Sequence, residues 1–325
     1  MFSSSAEVEA AHIEVGESLQ SIWTKLHTED ASELYQDLDT RTVSEIVDVM
    51  NTADKTVAFA VERAREDIVK AVNLVVSKMQ TGGRLIYIGA GTSGRLGVLD
   101  AAECPPTFNT PPDLVQAIIA GGERAMFEAV EQAEDQFADA DVELSSCNLS
   151  SFDVVVGVTA SGRTPFVIGA LDYARSVGAS TVALACNPDS EVSAHADVAI
   201  EVDTGPEVLM GSTRLKAGTA EKMVLNIIST ATMIRLGKVY RNLLVDLRAT
   251  NHKLVERSKR IHMLVTGSTY EEAEKALMTA EGNLKAAILV TQAGVTKETA
   301  EHLLERANGF LRVALETALG LEKAE

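Results

Sequence analysis

Residues 84–95 read RLIYIGAGTSGR, an almost continuous apolar run followed at once by a loop of glycines and hydroxyl side chains. The run 84–88 has the length and composition of a strand that is buried on both faces of a sheet. A helix is predicted from about Ser93 to Glu103, where Pro105 and Pro106 are expected to end it. A strand, a tight loop and a helix in this order indicate a parallel α/β sheet.

The same alternation of apolar runs and helical patterns continues along the chain. Further strands are predicted at Leu114–Ala120, Asp153–Val158, Thr181–Cys186 and Ala196–Val202. Helices are predicted between them at Glu123–Ala138 and Thr164–Val177. Apolar strands separated by helices favour a parallel sheet that is covered by helices on both faces.

The rest of the chain is helical in pattern. This holds for most of residues 6–80, for a long stretch from Thr213 towards Leu247, and for the tail from about Ser258. We therefore predict an N-terminal helical segment at 1–52, an α/β domain at 53–257 and a small helical C-terminal module at 258–325.

Composition excludes several classes of protein. The chain has 325 residues, and its 29 basic and 47 acidic side chains give a formal net charge of −18. This charge repels nucleic acid and anionic lipid, so neither is an expected partner. The longest apolar runs are too short to span a bilayer, and the N-terminus lacks the features of a signal peptide. Three widely spaced cysteines (Cys104, Cys147, Cys186) form no disulfide or zinc pattern, which favours a cytoplasmic protein.

Three loops combine hydroxyl side chains with a nearby cation, each at a strand or helix end: Gly89–Arg95, Thr159–Pro165 and Gly211–Lys216. The first loop matches the dinucleotide pattern GxGxxG, but the acid expected at the end of the next strand is missing, because Glu123 comes late. Hydroxyls and backbone N–H groups at helix N-termini suit a phosphate monoester and sugar hydroxyls better than a pyrophosphate. Ordinary helix capping is the alternative for each loop taken alone.

The second loop resembles a known phosphate-binding loop. Residues 161–164, SGRT, are similar to the loop with which sugar isomerase domains bind phosphosugars on a flavodoxin-like parallel sheet. Longer strings resemble one family among them, the N-acetylmuramic acid 6-phosphate etherases: LIYIGAGTSGRLG (85–97), AECPPT (102–107), GVTASGRTP (157–165) and KAGTA (216–220). The resemblance covers nearly the whole chain. It implies cleavage of a lactyl ether on a phosphosugar, without a metal or other cofactor.

The resemblance also implies the site residues. It places the two catalytic glutamates of the family at Glu103 and Glu134 and the phosphate-binding loop at Ser161, Gly162, Arg163 and Thr164, with Thr159 at its edge. Thr92 and Ser93 are expected to meet the sugar, and Ser212 and Lys216 are further candidates, although Lys216 can also simply neutralise a helix surface. By analogy with sugar isomerases, Glu207 and His252 are candidates for helping ring opening, with surface placement as the alternative.

Helical spacing gives an independent reason to single out the two glutamates. On a helix, Glu103 shares a face with Leu96 and Leu99. Glu134 shares one with Phe127, Val130 and Phe137. A carboxyl on an apolar face is desolvated, which raises its pKa and makes it a competent proton donor near neutral pH. The alternative is that either acid only borders the apolar face and forms a surface ion pair.

Three other functions remain open on the sequence. The first is a non-catalytic phosphosugar sensor, because the family resembles a longer regulatory protein that binds fructose phosphates and controls a kinase. The second is a nicotinamide-dependent oxidoreductase, and the third is an aldose–ketose phosphosugar isomerase. Sugar isomerase domains commonly pair and share groups between subunits, so a homodimer is expected by analogy.

Overall fold

A computed structural model describes residues 26–130, 132–137, 139–246 and 252–321. Residues 1–25 of the predicted N-terminal helical segment lie outside the described residues. After three short 3₁₀ turns, the first α-helix among the described residues, α1 (Val43–Asp54), begins at a capping box in which Thr42 and Glu45 each accept the other's backbone N–H. Among the described residues, no helix combines the length and apolar character that a bilayer span requires.

Five parallel strands form the predicted sheet: β1 (Leu85–Gly89), β2 (Val115–Ile119), β3 (Val154–Thr159), β4 (Ser180–Ala185) and β5 (Val198–Glu201). Their order is β2-β1-β3-β4-β5, which is the flavodoxin-like order expected from the resemblance. Leu85 of β1 pairs with Val115 on one side and with Val154 on the other. The strand order therefore reverses between β1 and β3, and in such sheets ligands bind beyond the carboxyl ends of the strands at this point.

Helices cover both faces of the sheet. Side chains alternate along β1, so Leu85 and Tyr87 enter one core while Ile86 and Ile88 enter the other. The first core is shared with helices before β1, between β1 and β2, and after β5, and the second with the helices that flank β3. These helices are α2 (Val57–Arg63), α3 (Arg65–Gln80), α4 (Gly91–Phe108), α5 (Asp139–Ser146), α6 (Pro165–Val177) and α7 (Lys216–Arg235).

Helix α4 is longer than predicted. It continues through Pro105 and Pro106 and ends at Phe108, where Asn109 takes a left-handed conformation and its N–H donates to the Pro105 carbonyl at 3.0 Å. Proline has a helical φ, so it can extend a helix once the bond from its missing N–H is given up. The buried side chains of Cys104 and Phe108 stabilise this last turn against the core, which overrides the local signal to stop.

The helix predicted at Glu123–Ala138 is absent. The described residues of this stretch form only two 3₁₀ turns, Glu123–Met126 and Ala133–Asp135. Gln132 lies in the left-handed region with φ 72°, which breaks a helical path. The Arg95 guanidinium, from α4, donates to the carbonyls of Met126 and Glu128, so these acceptors serve a tertiary contact.

The C-terminal part forms a separate helical core. The helix predicted from Thr213 ends at Arg235, and a short antiparallel pair follows, β6 (Val239–Tyr240) with β7 (Leu243–Leu244). Five helices then pack together: α8 (His252–Thr266), α9 (Tyr270–Thr279), α10 (Leu284–Ala293), α11 (Lys297–Arg306) and α12 (Leu311–Ala318). The turns predicted at Gly267 and Gly294 separate helices as expected, with both glycines at positive φ.

The approach of α4 to β1 makes a stability prediction. A Cβ added at Gly94 would lie 2.5 Å from the Gly89 carbonyl oxygen, a backbone atom that cannot move aside. We expect Gly94→Ala to lower the free energy of unfolding by about 1–3 kcal/mol, measured by urea denaturation. The matched control is Gly218→Ala in α7, where the nearest atoms lie at 3.4 Å, and it should be neutral or slightly stabilising. Equal stability of the two variants would contradict this account.

Candidate active site

The candidate site lies at the carboxyl edge of the sheet. β1 and β3 are adjacent and parallel, so the loops that follow them leave the sheet side by side. The first loop leads into α4 and the second into α6. Each helix presents its N-terminus, with its partial positive charge, at this edge. The topology thus brings together two of the three loops that the sequence analysis selected.

The loop after β3 is folded around the Thr159 hydroxyl. Its Oγ1 lies 2.7 Å from Thr164 Oγ1 and accepts the N–H of Gly162 at 3.3 Å. Ser161 Oγ accepts the N–H of Arg163 at 3.3 Å. Thr159 is buried, whereas Ser161, Arg163 and Thr164 remain partly exposed. Thr159 therefore supports the loop from beneath, and the other three side chains line its accessible side.

Gly162 is required by this loop geometry. Its φ is +76°, a conformation that L side chains rarely adopt, and a Cβ there would overlap Ser190 Oγ. The Gly162 carbonyl accepts the N–H of Val192. The tight turn therefore anchors the loop to the segment after β4, and the start of α6 is held in place.

Asn187 links the loops to one another. Its side-chain amide donates to the Ala160 carbonyl at 2.9 Å and to Thr28 Oγ1 at 3.0 Å, and its Oδ1 accepts the N–H of Thr28. The Thr28 carbonyl in turn accepts the N–H of Gly211 at 3.4 Å. Asn187 and Thr28 are both buried, and they tie the loop after β3 to the third hydroxyl-rich loop.

The start of α4 is held against α7. Ser93 is buried, and its Oγ donates to Glu221 Oε1 of α7 at 2.8 Å. Thr92 is half-buried, and its methyl group lies 3.4 Å from the position of a Cβ at Gly218. Thr92 thus keeps accessible surface at the site, while the Ser93 hydroxyl is already engaged in the interior.

The start of α7 is organised by Glu207. This carboxylate is buried and accepts the N–H groups of Lys216 at 3.0 Å and Ala217 at 2.9 Å. Lys216 is buried as well, and its Nζ donates to the Thr204 carbonyl at 2.6 Å. Burial raises the pKa of the Glu207 carboxyl against the opposing effect of the two N–H groups, and burial lowers the pKa of the Lys216 ammonium. Surface placement, left open for both residues, is therefore wrong.

Two other candidates lie nearer the surface. Ser212 is half-buried in the turn before α7, where its N–H donates to the Leu209 carbonyl. His252 is exposed at the first residue of α8, which is the surface placement that the sequence analysis kept as its alternative. Among the described residues, no group of three or more His, Cys, Asp and Glu side chains is arranged to hold a metal ion.

Glu134 lines a small cavity at the carboxyl edge. The cavity measures about 190 Å³ and is bounded by the start of α4, the end of β2 and residues of the stretches 125–130 and 133–134. Gly91 and Arg95 contribute to the same wall. The structure therefore brings Glu134 to the first of the three loops.

A larger cavity of about 540 Å³ lies between residues 31–46 and 207–210, and Glu207 belongs to its lining. Its lining is mainly apolar, and its charged members are the acids Asp39 and Glu207. Such a lining disfavours a phosphate, so the candidate site is assigned to the carboxyl edge of β1 and β3.

Glu103 does not border the cavity that contains Glu134. It is twelve residues beyond Gly91 on α4, which corresponds to about 18 Å along the helix axis at 1.5 Å per residue. Glu103 and Glu134 are both exposed, and so are Leu99, at 51%, and Phe127, at 91%. The expectation that both carboxyls are desolvated is therefore wrong for the single chain, although Leu96 and Val130 on the same faces are half-buried.

The buried acid Glu221 was not singled out from the sequence. Glu221 is fully buried on α7, among the apolar side chains Ala217, Val224 and Leu225. Helical spacing was the signal that could have found it, because the apolar face of α7 runs through this position. The quoted string KAGTA ends one residue before it.

Comparison with known proteins first defines the class. Residues 136–230 match the SIS domain model, and residues 67–175 match the model of the glucokinase regulatory protein N-terminal SIS domain. The solved structures that this chain partly resembles include a putative phosphosugar isomerase from Bacteroides fragilis (TM-score 0.47, 19% identity, 61% of this chain and 94% of that one). Another is a phosphoheptose isomerase from Francisella tularensis (TM-score 0.46, 17% identity, 61% and 99%). The protein is a SIS-domain protein.

Curated relatives define the family. An N-acetylmuramic acid 6-phosphate etherase from Mycolicibacterium smegmatis is 55% identical over 290 residues, covering 89% of this chain and 97% of the relative. One from Lactiplantibacillus plantarum is 53% identical over 291 residues, covering 90% and 98%. The chain belongs to the N-acetylmuramic acid 6-phosphate etherase family, which confirms the resemblance noted in its motifs.

Glu207 gives a stability prediction for the site. We expect Glu207→Ala to lower the free energy of unfolding by about 1–3 kcal/mol, because two buried N–H groups lose their acceptor. Glu207→Gln keeps one carbonyl oxygen as an acceptor, so its free energy of unfolding should fall clearly less than that of Glu207→Ala. Denaturant unfolding of both variants measures the difference. Equal stability of the alanine and glutamine variants would show that the carboxylate does not cap α7.

Proposed function

We propose that this protein cleaves the D-lactyl ether of N-acetylmuramic acid 6-phosphate, giving N-acetylglucosamine 6-phosphate and D-lactate. The observation that carries the proposal is identity of 53–55% with etherases over about 90% of the chain, including all three loops of the site. The geometry agrees with it, because two helix N-termini and a hydroxyl-lined loop face one edge of the sheet.

The chemistry needs two proton transfers. Opening the sugar ring exposes an aldehyde, which acidifies the hydrogen on carbon 2. A base removes this proton while an acid protonates the departing lactyl oxygen, so the carbon–oxygen bond at carbon 3 breaks. Water then adds to the unsaturated aldehyde, and the overall reaction consumes one water. Two carboxyl groups can serve both transfers.

Each candidate residue has a role in this scheme. Ser161, Gly162, Arg163 and Thr164 hold the phosphate at the start of α6, supported from beneath by Thr159. Thr92, and with it the first turn of α4, faces the sugar, and Ser212 and Lys216 bound the site from the start of α7. Glu134, in the cavity beside Gly91, acts as the base, and Glu103 donates a proton to the lactyl oxygen.

We also propose that the active unit is a homodimer with sites shared between its subunits. Glu103 lies about 18 Å along α4 from Gly91, counted by helix rise, and Gly91 borders the cavity that contains Glu134. Both glutamates are exposed. We infer that a substrate held at this cavity does not reach Glu103 of the same chain, which is absent from the cavity lining. A second chain that contributes its Glu103 would complete the site, and the exposed Leu99 next to it provides apolar surface for such a contact.

A cytoplasmic location and the absence of nucleic-acid partners complete the proposal. The three cysteines are free thiols, and Cys104 and Cys186 are buried, as expected in a reducing compartment. Burial raises the pKa of Cys104 to about 12, so this thiol is a poor nucleophile despite its position beside Glu103. The net charge of −18 disfavours nucleic acid.

Removing either carboxylate should stop turnover. We expect Glu103→Gln and Glu134→Gln to lower kcat for D-lactate release by about 10²- to 10⁴-fold, the usual contribution of a general acid or base. Binding of N-acetylglucosamine 6-phosphate, measured by calorimetry, should remain within a few fold of the unaltered protein. Glu128→Gln, an exposed glutamate of the same segment, is the control and should retain full activity. Wild-type turnover in either active-site variant would contradict the assignment.

Mixing the two inactive variants tests the shared site. A heterodimer of Glu103→Gln and Glu134→Gln chains has one site with both carboxylates intact if each site draws on two chains. Random reassociation makes half of the dimers mixed, so about one quarter of full activity should return. If both carboxylates of a site came from the same chain, every site would lack one of them. The mixture would then stay inactive.

A further inference from the structure

Glu221 is a buried acid without a cation. No part of this residue is exposed, and its Oε1 accepts the hydroxyl of Ser93. Its Oε2 is also buried and has no hydrogen-bond partner among the residues that the structure describes. The surrounding face of α7 is apolar. An ionised carboxylate in such surroundings would be very costly, so the neutral acid is the stable form.

The titratable groups nearest to Glu221 do not neutralise the negative charge that its ionised carboxylate would carry. The Cys186 thiol at the end of β4 donates to the Ala217 carbonyl, one turn from Glu221, and burial raises the pKa of this thiol well above its usual value. The carboxylate of Asp100 on α4 accepts hydrogen bonds from the side chains of Tyr87, Asn226 and Ser229. Lys216 and Glu207 are committed to the start of α7. Burial raises the pKa of Glu221 to about 8, with Ser93 opposing the shift.

The side chain of Glu221 is hydrogen-bonded to the first turn of α4 through the Ser93 hydroxyl. Ser93 follows Gly91 and Thr92, which stand at the substrate edge of the sheet, and Gly91 also bounds the cavity that contains Glu134. Contact between Gly94 and Gly89 fixes the other side of this turn on β1. The Ser93–Glu221 bond therefore connects the interior of α7 to the backbone that faces the site.

We propose that Glu221 in its neutral acid form is a positioning residue, which locks Ser93 and thereby holds the first turn of α4 in the conformation that binds the phosphosugar. This inference rests on the proposed function for its substrate. Glu221 does not touch the substrate and acts through Ser93. Ionisation places an unpaired charge in the core, which draws in water and loosens the turn.

The sign of the pH effect follows from proton uptake. The folded protein keeps this proton up to about pH 8, whereas an unfolded glutamate loses it near its ordinary pKa of 4.5. Glu221 therefore lowers the stability of the folded protein progressively as pH rises from about 4.5 to about 8. Its effect on positioning appears above about pH 8, where the folded-state carboxyl ionises.

The decisive experiment compares Glu221→Gln with Glu221→Leu. Glutamine keeps the carbonyl that accepts the Ser93 hydroxyl and cannot ionise, whereas leucine has a similar size and no acceptor. At pH 7, we expect Glu221→Leu and Ser93→Ala each to raise the KM for D-lactate release about tenfold. The KM of Glu221→Gln should stay close to that of the wild type. Above pH 8, wild-type kcat/KM should fall by up to about tenfold per pH unit, and the glutamine variant should lack this decline. A wild-type decline preserved in the glutamine variant overturns the proposal.

Two readouts do not depend on the etherase reaction. The melting temperature of Glu221→Gln relative to the wild type should increase steadily from pH 5 to pH 8. The infrared carbonyl band of a protonated carboxyl should be present in the wild type at pH 7 and absent from the glutamine variant. If no lactate is released at any pH, the proposed function fails. The affinity for N-acetylglucosamine 6-phosphate, measured by calorimetry, then decides the inference. Above pH 8 the affinity of the wild type should weaken, and that of Glu221→Gln should not. Absence of the protonated band at pH 7 would overturn the inference whatever the activity.

Discussion

The parallel pairing of β1 with β3 brings the starts of α4 and α6 to one edge of the sheet. The pairing itself is held by apolar packing on both faces, since Leu85 and Tyr87 enter one core and Ile86 and Ile88 enter the other. Two helix N-termini at one edge create a region of positive potential in a chain whose formal net charge is −18. A small anionic substrate can therefore bind where the overall charge would repel a polyanion.

Buried polar groups hold the loops of the candidate site in place through hydrogen bonds. Asn187 ties two of its loops together, and Glu207 caps the helix that closes its third side. These groups have their hydrogen bonds within the described structure, as buried polar atoms require. Glu221 differs, because one of its oxygens has no partner there. Such an unsatisfied acid lowers stability, and the positioning role inferred for it gives a reason to retain it.

The fold was predictable because its signals are repeated. Each of the five strands is an apolar run bounded by turn residues, and the predicted bounds differ from the observed ones by one or two residues. The error at Pro105 and Pro106 arose because a local helix-breaking rule was overridden by the burial of Phe108. The helix predicted around Glu134 is absent for a similar reason. The guanidinium of Arg95, on α4, donates hydrogen bonds to backbone carbonyls of this stretch, and no local sequence pattern predicts this tertiary contact.

The site was predictable in part. The motif at 161–164 predicted a phosphate loop because its residues are contiguous, and the structure folds them around Thr159. Phosphate binding by this loop stays a prediction. The search for acids on apolar faces selected Glu103 and Glu134, which are exposed, and passed over Glu221, which is buried. Periodicity identifies the apolar side of a helix, but only packing decides whether that side meets the core or solvent.

The most direct test of this account is a crystal structure with N-acetylglucosamine 6-phosphate bound. We expect the phosphate oxygens within hydrogen-bond distance of Ser161 and Thr164 at the start of α6, with the sugar extending towards Thr92 and Glu134. A phosphate bound elsewhere, such as in the acidic and apolar cavity between residues 31–46 and 207–210, would contradict the claim that the carboxyl edge of β1 and β3 forms the site.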